Sequence, residues 1–412
     1  MFGYSGNDYY CEQVPLADLA VQTGTPVYVY STESLVERYR AYDAAFADLP
    51  HTVCYAVKAN SSLALLALLA KAGAGFDIVS GGELFRVLKA GGDPAKVVFS
   101  GVGKTAREVE YALTSGIHSF NCESEAELAL IDSLAARLGK TAGFSLRINP
   151  DVDAVTHPYI STGLSQHKFG IAIASAEEVY ARSRQFRSIA AEGVSCHIGS
   201  QMLDDSPILQ AEEKVLALAD RLRQQGHAIR HVDFGGGLGI AYRPGDQAPS
   251  IPDFVKRLGA RVRESGLQVM IEPGRSIAGP AGVLVTRVLY RKRNGDKEFV
   301  IVDAAMNDLI RPSLYGAHHE IVPVRRNSLP RITADVVGPV CETGDFLAGG
   351  REMANAMPGD FLVVEAAGAY GFVLSSNYNT RPRAPEVLVD GSSWRMVRER
   401  ETYDDLIRGE CL

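Results

Sequence analysis

Eight short β-rich runs, separated by stretches that favour helices, constrain the fold of this chain more than any other feature. The runs are VCYAVKA, GFDIVS, VVFSG, HSFNCES, FSLRIN, GVSCHIGS, HVDFGGG and VMIEPG. The stretches between them, such as SSLALLALLAKAG and SEAELALIDSLAARLG, repeat apolar residues with the period of an α-helix. Eight consecutive β–α units predict an α/β fold, a parallel (β/α)8 barrel of the TIM type.

The apolar pattern changes after about residue 279, where strict alternation replaces the helical period. Alternation is typical of half-buried strands, and Gly, Pro and Asp separate runs such as VLVTRVLYRKR, EFVIVDAA and FLVVEAAG. The segment TPVYVYS, which precedes the first helical stretch, is also strand-like. We therefore predict a barrel domain over residues 32–278. Residues 1–31 and 279–412 should form a β-rich sandwich or barrel domain that takes the N-terminal strand.

The composition is that of an ordinary globular protein. Of the 412 residues, 46% are hydrophobic and 22% charged, which suffices for two filled cores. A net charge of −7 without a basic run argues against nucleic acid or an anionic membrane as partner. No apolar stretch reaches the roughly 18 residues of a membrane span, and the N-terminus lacks the features of a secretion signal. The six scattered cysteines have no zinc-type spacing, so we expect reduced thiols, no metal and a cytoplasmic location.

Lys58 is the first candidate functional residue, because it ends an apolar, β-prone run where an ammonium group is disfavoured. A partly desolvated lysine amine can act as the nucleophile that forms a Schiff base. Taken alone, Lys58 is better explained as a solvated lysine at the end of a strand. Asp77, His197 and Glu272 also stand at or just after predicted strand ends, and this face of a barrel builds active sites.

Two further segments at predicted strand ends carry candidate binding residues. In the run His231–Ile240, HVDFGGGLGI, an isoleucine occupies the last glycine position of a dinucleotide-binding fingerprint, so a Rossmann interpretation fails. Glycine loops can surround a phosphate because they lack Cβ atoms, although a tight turn at the barrel rim is an equal alternative. In the segment Glu272–Arg275, EPGR, a carboxylate and a guanidinium stand three residues apart, and a surface ion pair is the usual explanation for such neighbours.

Seven ordered motifs give the chain a family resemblance. AVKAN, FDIVSGGE, HIGSQ, DFGGGLG, EPGR, CETGD and GAYG follow one another across nearly the whole chain. They resemble the fold-type III pyridoxal phosphate-dependent decarboxylases, which have an alanine racemase-like barrel, and within that group they are most similar to the diaminopimelate decarboxylases. Further matching segments are Thr156–Gly163 (THPYISTG), Lys168–Gly170 (KFG), Arg311–Tyr315 (RPSLY) and Ser376–Asn379 (SNYN).

The resemblance implies pyridoxal 5'-phosphate as the cofactor and assigns residues to it. Lys58 would carry the cofactor through a Schiff base, with Asp77 beside the linkage and His197 stacked on the ring. Glu272 would bind the pyridine nitrogen and keep it protonated, so that the ring accepts electrons when a bond at Cα breaks. The other residues expected to bind the cofactor are Ser200, Gly235, Gly236, Gly237, Gly274, Arg275 and Tyr370.

The resemblance also implies a reaction: decarboxylation of meso-2,6-diaminopimelate to L-lysine and CO2, the last step of lysine biosynthesis. Cys341 would donate the proton to Cα, and Glu342 would bind the distal ammonium group. Cys341, Glu342 and Tyr370 resemble residues that the family donates across a homodimer interface, which implies composite active sites. The residues expected to bind the substrate are Arg275, Arg311, Tyr315, Glu342 and Tyr370.

Three alternatives stay open at this point. A decarboxylase of ornithine, arginine or lysine would use the same cofactor, although such substrates would leave buried guanidinium groups without a carboxylate. An alanine racemase-like enzyme shares barrel and cofactor, but CETGD is not its motif. A non-catalytic regulatory homologue has no need to keep Lys58, Glu272, Cys341 and Glu342 together. A free cysteine such as Cys341 is in general more often a small buried apolar residue than a catalytic one.

Overall fold

The computed structural model describes residues 1–152 and 168–412. These residues group into two compact units, which we call the barrel unit and the β-rich unit. The barrel unit comprises Glu37–Ile240 and Gln247–Ser276, and the β-rich unit comprises Met1–Val36, Ala241–Asp246 and Ile277–Leu412. The division at residues 31/32 and 278/279 stays a prediction about where the chain separates into domains.

Within the described residues, the barrel unit contains eight parallel strands that close into a cylinder. Their order around the barrel follows the sequence, and the last strand pairs with the first through Ile271 and Val53. Each predicted run overlaps one of these strands, so the (β/α)8 prediction is confirmed. The strands are His51–Ala56, Gly75–Ile78, Val97–Phe99, Ser119–Cys122, Ala142–Asn149, Ile189–Cys196, His231–Asp233 and Gln268–Ile271; a short strand, Ile171–Ala172, pairs beside the fifth.

Capping residues mark the ends of several helices around the barrel. In the helix Ala106–Ser115 the side chains of Thr105 and Glu108 form a capping box, and Gly116 ends it with a φ of +73°. Across residues 1–152 and 168–412, no helix is both long and apolar enough to cross a membrane. The helices between residues 32 and 278 are Thr32–Ala45, Leu63–Ala72, Gly81–Lys89, Ala106–Ser115, Glu125–Arg137, Ile173–Ser183, Ser206–Gln224, Ile251–Ser265 and Arg275–Ala278, with 3-10 turns at Val57–Ala59 and Pro94–Lys96.

In the β-rich unit the strand Val27–Ser31 lies inside a large sheet. It pairs antiparallel with the strand Gly282–Asn294 and parallel with the strand Glu386–Asp390. The strand in TPVYVYS therefore belongs to the β-rich unit, as the sequence predicted. The remaining strands are Phe2–Ser5, Asp8–Cys11, Val14–Pro15, Lys297–Val302, Ile321–Pro323, Ile332–Val337, Phe346–Met353, Phe361–Val364 and Ser393–Arg398; the helices are Leu16–Thr23, Arg311–Tyr315 and Tyr403–Leu406, with 3-10 turns at Phe372–Leu374 and Tyr378–Thr380.

Two barrel strands carry buried aspartates at or next to their carboxyl ends. Every residue of the strands Gly75–Ile78 and His231–Asp233 is buried, yet each carries an aspartate at or next to its end, Asp77 and Asp233. Burying a carboxylate costs free energy unless the group is paired or hydrogen-bonded. Both aspartates lie at the barrel face that builds active sites, which makes this face the candidate site.

Candidate active site

A cavity of about 420 Å³ lies at the carboxyl ends of the barrel strands. Small-molecule sites usually have volumes of roughly 300–1,000 Å³. Lys58 reaches this cavity because it lies in the turn Val57–Ala59, which directly follows the first strand. The lining residues are Lys58, Val79, Ser100, Gly101, Val102, Gly103, Asn121, Arg147, Phe169, Ser195, Cys196, His197 and Glu272.

Lys58 and Asp77 form an ion pair at this cavity. Nζ of Lys58 lies 2.6 Å from Oδ2 of Asp77, and the aspartate side chain is fully buried whereas 36% of the lysine side chain is exposed. Oδ1 of Asp77 is buried without a hydrogen-bond partner in the described part of the chain. A buried acceptor of this kind favours a further N–H or O–H donor in the site. The two residues that the sequence assigned to one linkage are therefore neighbours.

Glu272 shares a buried polar cluster with Asp233 and Asn121. The amide of Asn121 donates to Oε1 of Glu272 at 3.1 Å and to Oδ2 of Asp233 at 3.2 Å. Burial, together with the Asp233 and Asp77 carboxylates, raises the pKa of Glu272 well above its usual range, and burial also raises the pKa of Asp233. Two buried carboxyl groups this close share a proton unless a cation joins them. A protonated ring nitrogen beside Glu272 would supply such a cation and favour the ionised carboxylate.

His197 is a partly buried, neutral imidazole in the cavity wall. Burial, with the positive charges of Arg147 and Lys58, lowers the pKa of His197 well below its usual value. Its Nδ1 accepts the backbone N–H of Gly236 at 3.2 Å, which places the ring hydrogen on Nε2. Arg147, paired with Glu123 at 3.0 Å, donates to the His197 carbonyl. A neutral ring in a fixed orientation can stack on a planar ligand without adding a charge to the site.

The loop Gly235–Gly237 packs too tightly for any side chain. A Cβ on Gly235 would lie 2.7 Å from the carbonyl oxygen of Cys196, and one on Gly236 would lie 2.4 Å from the carbonyl oxygen of Glu272. Gly235 and Gly237 also have φ values of +64° and +117°, which L side chains rarely adopt. The loop is therefore bare backbone in contact with the residues of the cavity wall.

Arg275 and Ser200 complete a set of groups suited to phosphate. Arg275 is 7% exposed, and its Nη2 and Nε lie 3.1 and 3.3 Å from Oγ of Ser200. A Cβ on Gly274 would lie 2.9 Å from the Cβ of Ala59, so this glycine packs against the Lys58 turn. Guanidinium, hydroxyl and glycine backbone are common phosphate ligands. With the Lys58 amine and the buried Glu272 carboxylate, the set fits the aldehyde, ring nitrogen and phosphate of pyridoxal phosphate.

The β-rich unit brings together three of the sequence motifs. Ser313, in RPSLY, donates its hydroxyl to the carbonyl of Gly344 in CETGD. The backbone N–H of Cys341, an exposed thiol, donates to Oδ1 of Asn379 in SNYN at 2.8 Å. This cluster contains the predicted residues Arg311, Tyr315, Cys341 and Glu342.

Tyr370, the last predicted residue, has an unusual backbone. Its φ is +56°, and non-glycine residues with such values concentrate at functional sites. The glycine that follows is also needed, because a Cβ on Gly371 would lie 2.5 Å from the carbonyl oxygen of Ala367. The GAYG motif is therefore a sharply bent segment of the β-rich unit.

Sequence reasoning missed Asn121, Arg147 and Asp233, although each stands at or near the carboxyl end of a barrel strand. The criterion that selected Asp77 would have found them had it been applied to every strand. Phe169, in KFG, has its ring 4.7 Å from the Arg147 guanidinium, whereas the motif Thr156–Gly163 lies outside the described residues. In residues 1–152 and 168–412, no three His, Cys, Asp or Glu side chains are grouped to hold a metal ion.

Comparisons with known proteins cover both units of the chain. The family model for the pyridoxal-binding domain of pyridoxal-dependent decarboxylases matches residues 32–279. A Pseudomonas aeruginosa protein named diaminopimelate decarboxylase is 56% identical over 412 residues, which are 100% of this chain and 99% of that one. A crystal structure of diaminopimelate decarboxylase from Helicobacter pylori with L-lysine is 41% identical, with a TM-score of 0.92, and the match covers 95% of this chain and 98% of that one. The enzyme of the same name from M. jannaschii, also with L-lysine, gives 35% identity and a TM-score of 0.95 over 100% of this chain and 98% of that one.

Proposed function

The chain belongs to the diaminopimelate decarboxylases, a family of pyridoxal phosphate-dependent enzymes, and from this premise we propose that it converts meso-2,6-diaminopimelate to L-lysine and CO2 at the barrel cavity. One observation carries the proposal for this site. An amine and a buried carboxylate line one cavity, at Lys58 and Glu272, and the bare backbone of Gly235–Gly237 packs against residues of the cavity wall.

The cofactor and the barrel residues divide the chemistry between them. Pyridoxal phosphate, when bound at Lys58, supplies an electron sink that lets a bond to the substrate Cα break. Asp77 holds the lysine amine through their 2.6 Å hydrogen bond. Glu272 would pair as a carboxylate with the protonated ring nitrogen, and this cation would offset the burial and the neighbouring carboxylates that raise the pKa of Glu272. Ser200, Gly274, Arg275 and the glycine loop bind the phosphate, and His197 supports the ring.

We assign the proton donor to Cys341. When the bond between Cα and the carboxylate breaks, its electron pair stays with the substrate and CO2 leaves. A proton from the Cys341 thiol then takes the place of the carboxylate at Cα and leaves a thiolate. The Cys341 thiol is exposed, while its backbone N–H is held by Asn379. A fixed backbone with an accessible side chain suits a group that must meet a bound substrate.

Selectivity for diaminopimelate comes from the distal end of the substrate, which carries both an ammonium and a carboxylate group. Glu342 would bind the ammonium group, and Tyr370 would contact substrate and phosphate. The residues proposed for the carboxylate are Arg275, Arg311 and Tyr315. Arg275 and Arg311 are 7% and 5% exposed, so a substrate without the distal carboxylate would leave buried guanidinium groups without that ligand, at a cost of several kcal/mol.

We also propose a homodimer in which Cys341, Glu342 and Tyr370 of one subunit complete the partner's barrel cavity. Support comes from the motifs CETGD and GAYG, which resemble the segments that this family donates across its dimer interface. An isolated protomer would then be inactive. A cytoplasmic location is proposed on the six cysteines, which are all unpaired thiols in the structure.

The proposed function is tested by product analysis of the purified holoenzyme with meso-diaminopimelate, L-lysine, L-ornithine and L-arginine. We expect L-lysine as the product from diaminopimelate. For the other three amino acids kcat/KM should be at least about 10³-fold lower, because a site built for a polar group rejects analogues that lack it. Faster CO2 release from ornithine, arginine or lysine would identify a decarboxylase of that amino acid instead. A purified protein without visible cofactor absorbance, even after addition of pyridoxal phosphate, would favour the regulatory alternative.

A further inference from the structure

Arg311 is held by two planar groups of the β-rich unit. It begins the helix Arg311–Tyr315, and its Nη1 lies 2.7 Å from Nε2 of His319. The guanidinium carbon of Arg311 lies 4.7 Å from the centre of the Tyr242 ring. The ring centres of Tyr242 and His319 are 5.2 Å apart, and the two ring planes make an angle of 77°. The guanidinium therefore contacts two rings that restrict its orientation in different directions. A side chain with this many torsions is thereby limited to few orientations.

The hydrogen bonds of His319 determine its protonation state. An arginine is always protonated and can only donate, so Nε2 of His319 must accept from Arg311. Nδ1 lies 2.8 Å from the carbonyl oxygen of Glu365, which can only accept, so Nδ1 carries the hydrogen. Both bonds are satisfied together by the neutral imidazole with its hydrogen on Nδ1. His319 is 0% exposed, and burial also disfavours the charged form.

The backbone around His319 is fixed as well. Nη1 of Arg351 donates to the His319 carbonyl at 2.9 Å, and the backbone N–H of Glu365 donates to the carbonyl of Glu320 at 2.9 Å. His319 is therefore bound to the same neighbouring segment through its side chain and through the next residue. Movement of the imidazole away from Arg311 would break several hydrogen bonds at once.

The choice of a neutral acceptor has a consequence for ligand binding. An aspartate or glutamate at position 319 could orient Arg311 equally well, but it would neutralise the guanidinium and compete with a substrate carboxylate. The imidazole of His319 and the ring face of Tyr242 orient the group without removing its charge. We infer that His319, assisted by Tyr242, is a positioning residue that sets the selectivity for an amino acid with a distal carboxylate by holding Arg311 oriented and fully charged. This inference rests on the proposed function, in which Arg311 binds that carboxylate.

The test compares two ligands that differ in the distal carboxylate alone. Decarboxylation at one end of meso-diaminopimelate leaves the other end intact, so the product L-lysine still carries the distal carboxylate. Cadaverine, 1,5-diaminopentane, is the same molecule without it. Inhibition constants of both ligands, measured on the holoenzyme with meso-diaminopimelate as substrate, give a cadaverine-to-lysine ratio that reports the carboxylate contact.

We expect His319→Leu to lower this ratio about ten- to hundredfold and to raise the KM for diaminopimelate. Without its hydrogen bond to position 319, Arg311 is no longer held in place and loses much of its charge-assisted contact with the distal carboxylate. Inhibition by cadaverine should stay within about threefold of wild type. His319→Gln, whose amide oxygen can accept from Arg311, should retain most of the ratio, and Tyr242→Leu should lose part of it while Tyr242→Phe should not. If His319→Leu fails to fold, the glutamine variant and the Tyr242 pair carry the comparison.

Arg311→Ala separates the inference from its premise. Two results would overturn the inference but leave the role of Arg311 intact. One is a much lower cadaverine-to-lysine ratio in Arg311→Ala with an unchanged ratio in His319→Leu. The other is an equal weakening of inhibition by both ligands in the His319 variants. An unchanged ratio in Arg311→Ala itself would overturn the role proposed for Arg311, and the inference with it. Glu342→Ala serves as a further control, because it should weaken both ligands, each of which offers an ammonium group.

Discussion

Gly235→Ala is the substitution whose effect the structure defines most directly, because the chain contains a matched control. Gly235 and Gly266 have nearly equal φ values, +64° and +66°. An added Cβ at Gly266 meets nothing within 4 Å, whereas at Gly235 it would lie 2.7 Å from the Cys196 carbonyl oxygen and from Nδ1 of His197. The pair therefore separates the cost of a left-handed alanine from the cost of overpacking.

The magnitudes follow from these two terms. Alanine in the left-handed region costs roughly 1–2 kcal/mol, and the loss of unfolded-chain entropy on replacing glycine acts equally in both variants. Overpacking against backbone and a buried ring adds about 1–3 kcal/mol in Gly235→Ala only. For a unit of 150–250 residues, 1 kcal/mol lowers Tm by about 2–4 °C, so Gly235→Ala should melt about 2–12 °C below Gly266→Ala.

Thermal melting is best followed by circular dichroism at 222 nm. The single tryptophan, Trp394, lies in the β-rich unit, so its fluorescence would report the wrong unit. A titration with pyridoxal phosphate, followed by visible absorbance, should also give a raised Kd for Gly235→Ala, because the added methyl group displaces His197 at the cavity. Equal Tm values in the two variants, or a lowered Tm without a change in cofactor Kd, would refute the close packing of this loop on the site.

Four further results are expected. Lys58→Ala should abolish turnover and the visible absorbance of bound cofactor; full activity with normal absorbance would exclude Lys58 as the attachment point. Glu272→Gln should still bind cofactor but lower kcat about 10²-fold or more, and an unchanged kcat would contradict its role at the ring nitrogen. Mixing inactive Lys58→Ala and Cys341→Ala protomers should restore about one quarter of wild-type sites in a two-fold dimer, and no recovery after demonstrated subunit exchange would place Cys341 in its own subunit's site or away from any site. Burial lowers the pKa of His231 to about 3, below its value in the unfolded chain. The unfolded chain therefore binds that proton first, and stability should fall by about 1.4 kcal/mol per pH unit between roughly pH 6.5 and pH 3. His231→Asn should flatten this part of a urea-denaturation pH profile, and an unchanged profile would assign the acid sensitivity to other groups.

The barrel and the β-rich unit could be predicted from the sequence because their signals are local. A helical or alternating period depends on residues a few positions apart, and it repeats in every β–α unit, so single errors do not change the fold. The motifs from AVKAN to GAYG likewise implied the decarboxylase family and its cofactor before any contact was known, and the comparisons bear out both. Domain boundaries and the roles of individual site residues stay predictions until the variants above are measured.

Tertiary structure alone decided which side chains share the cavity. Asn121 donates to both Asp233 and Glu272, which are 112 and 151 positions away along the chain, because barrel closure brings distant strand ends together. No periodicity encodes that meeting. The protonation states also depend on tertiary structure. The raised pKa of Glu272 and the neutral form of His319 both result from burial and from partners that the fold assembles. Sequence thus determined the helices, the strands and the family, since local patterns of residues predict all three. The charge state of the site, by contrast, depends on the three-dimensional surroundings of each group.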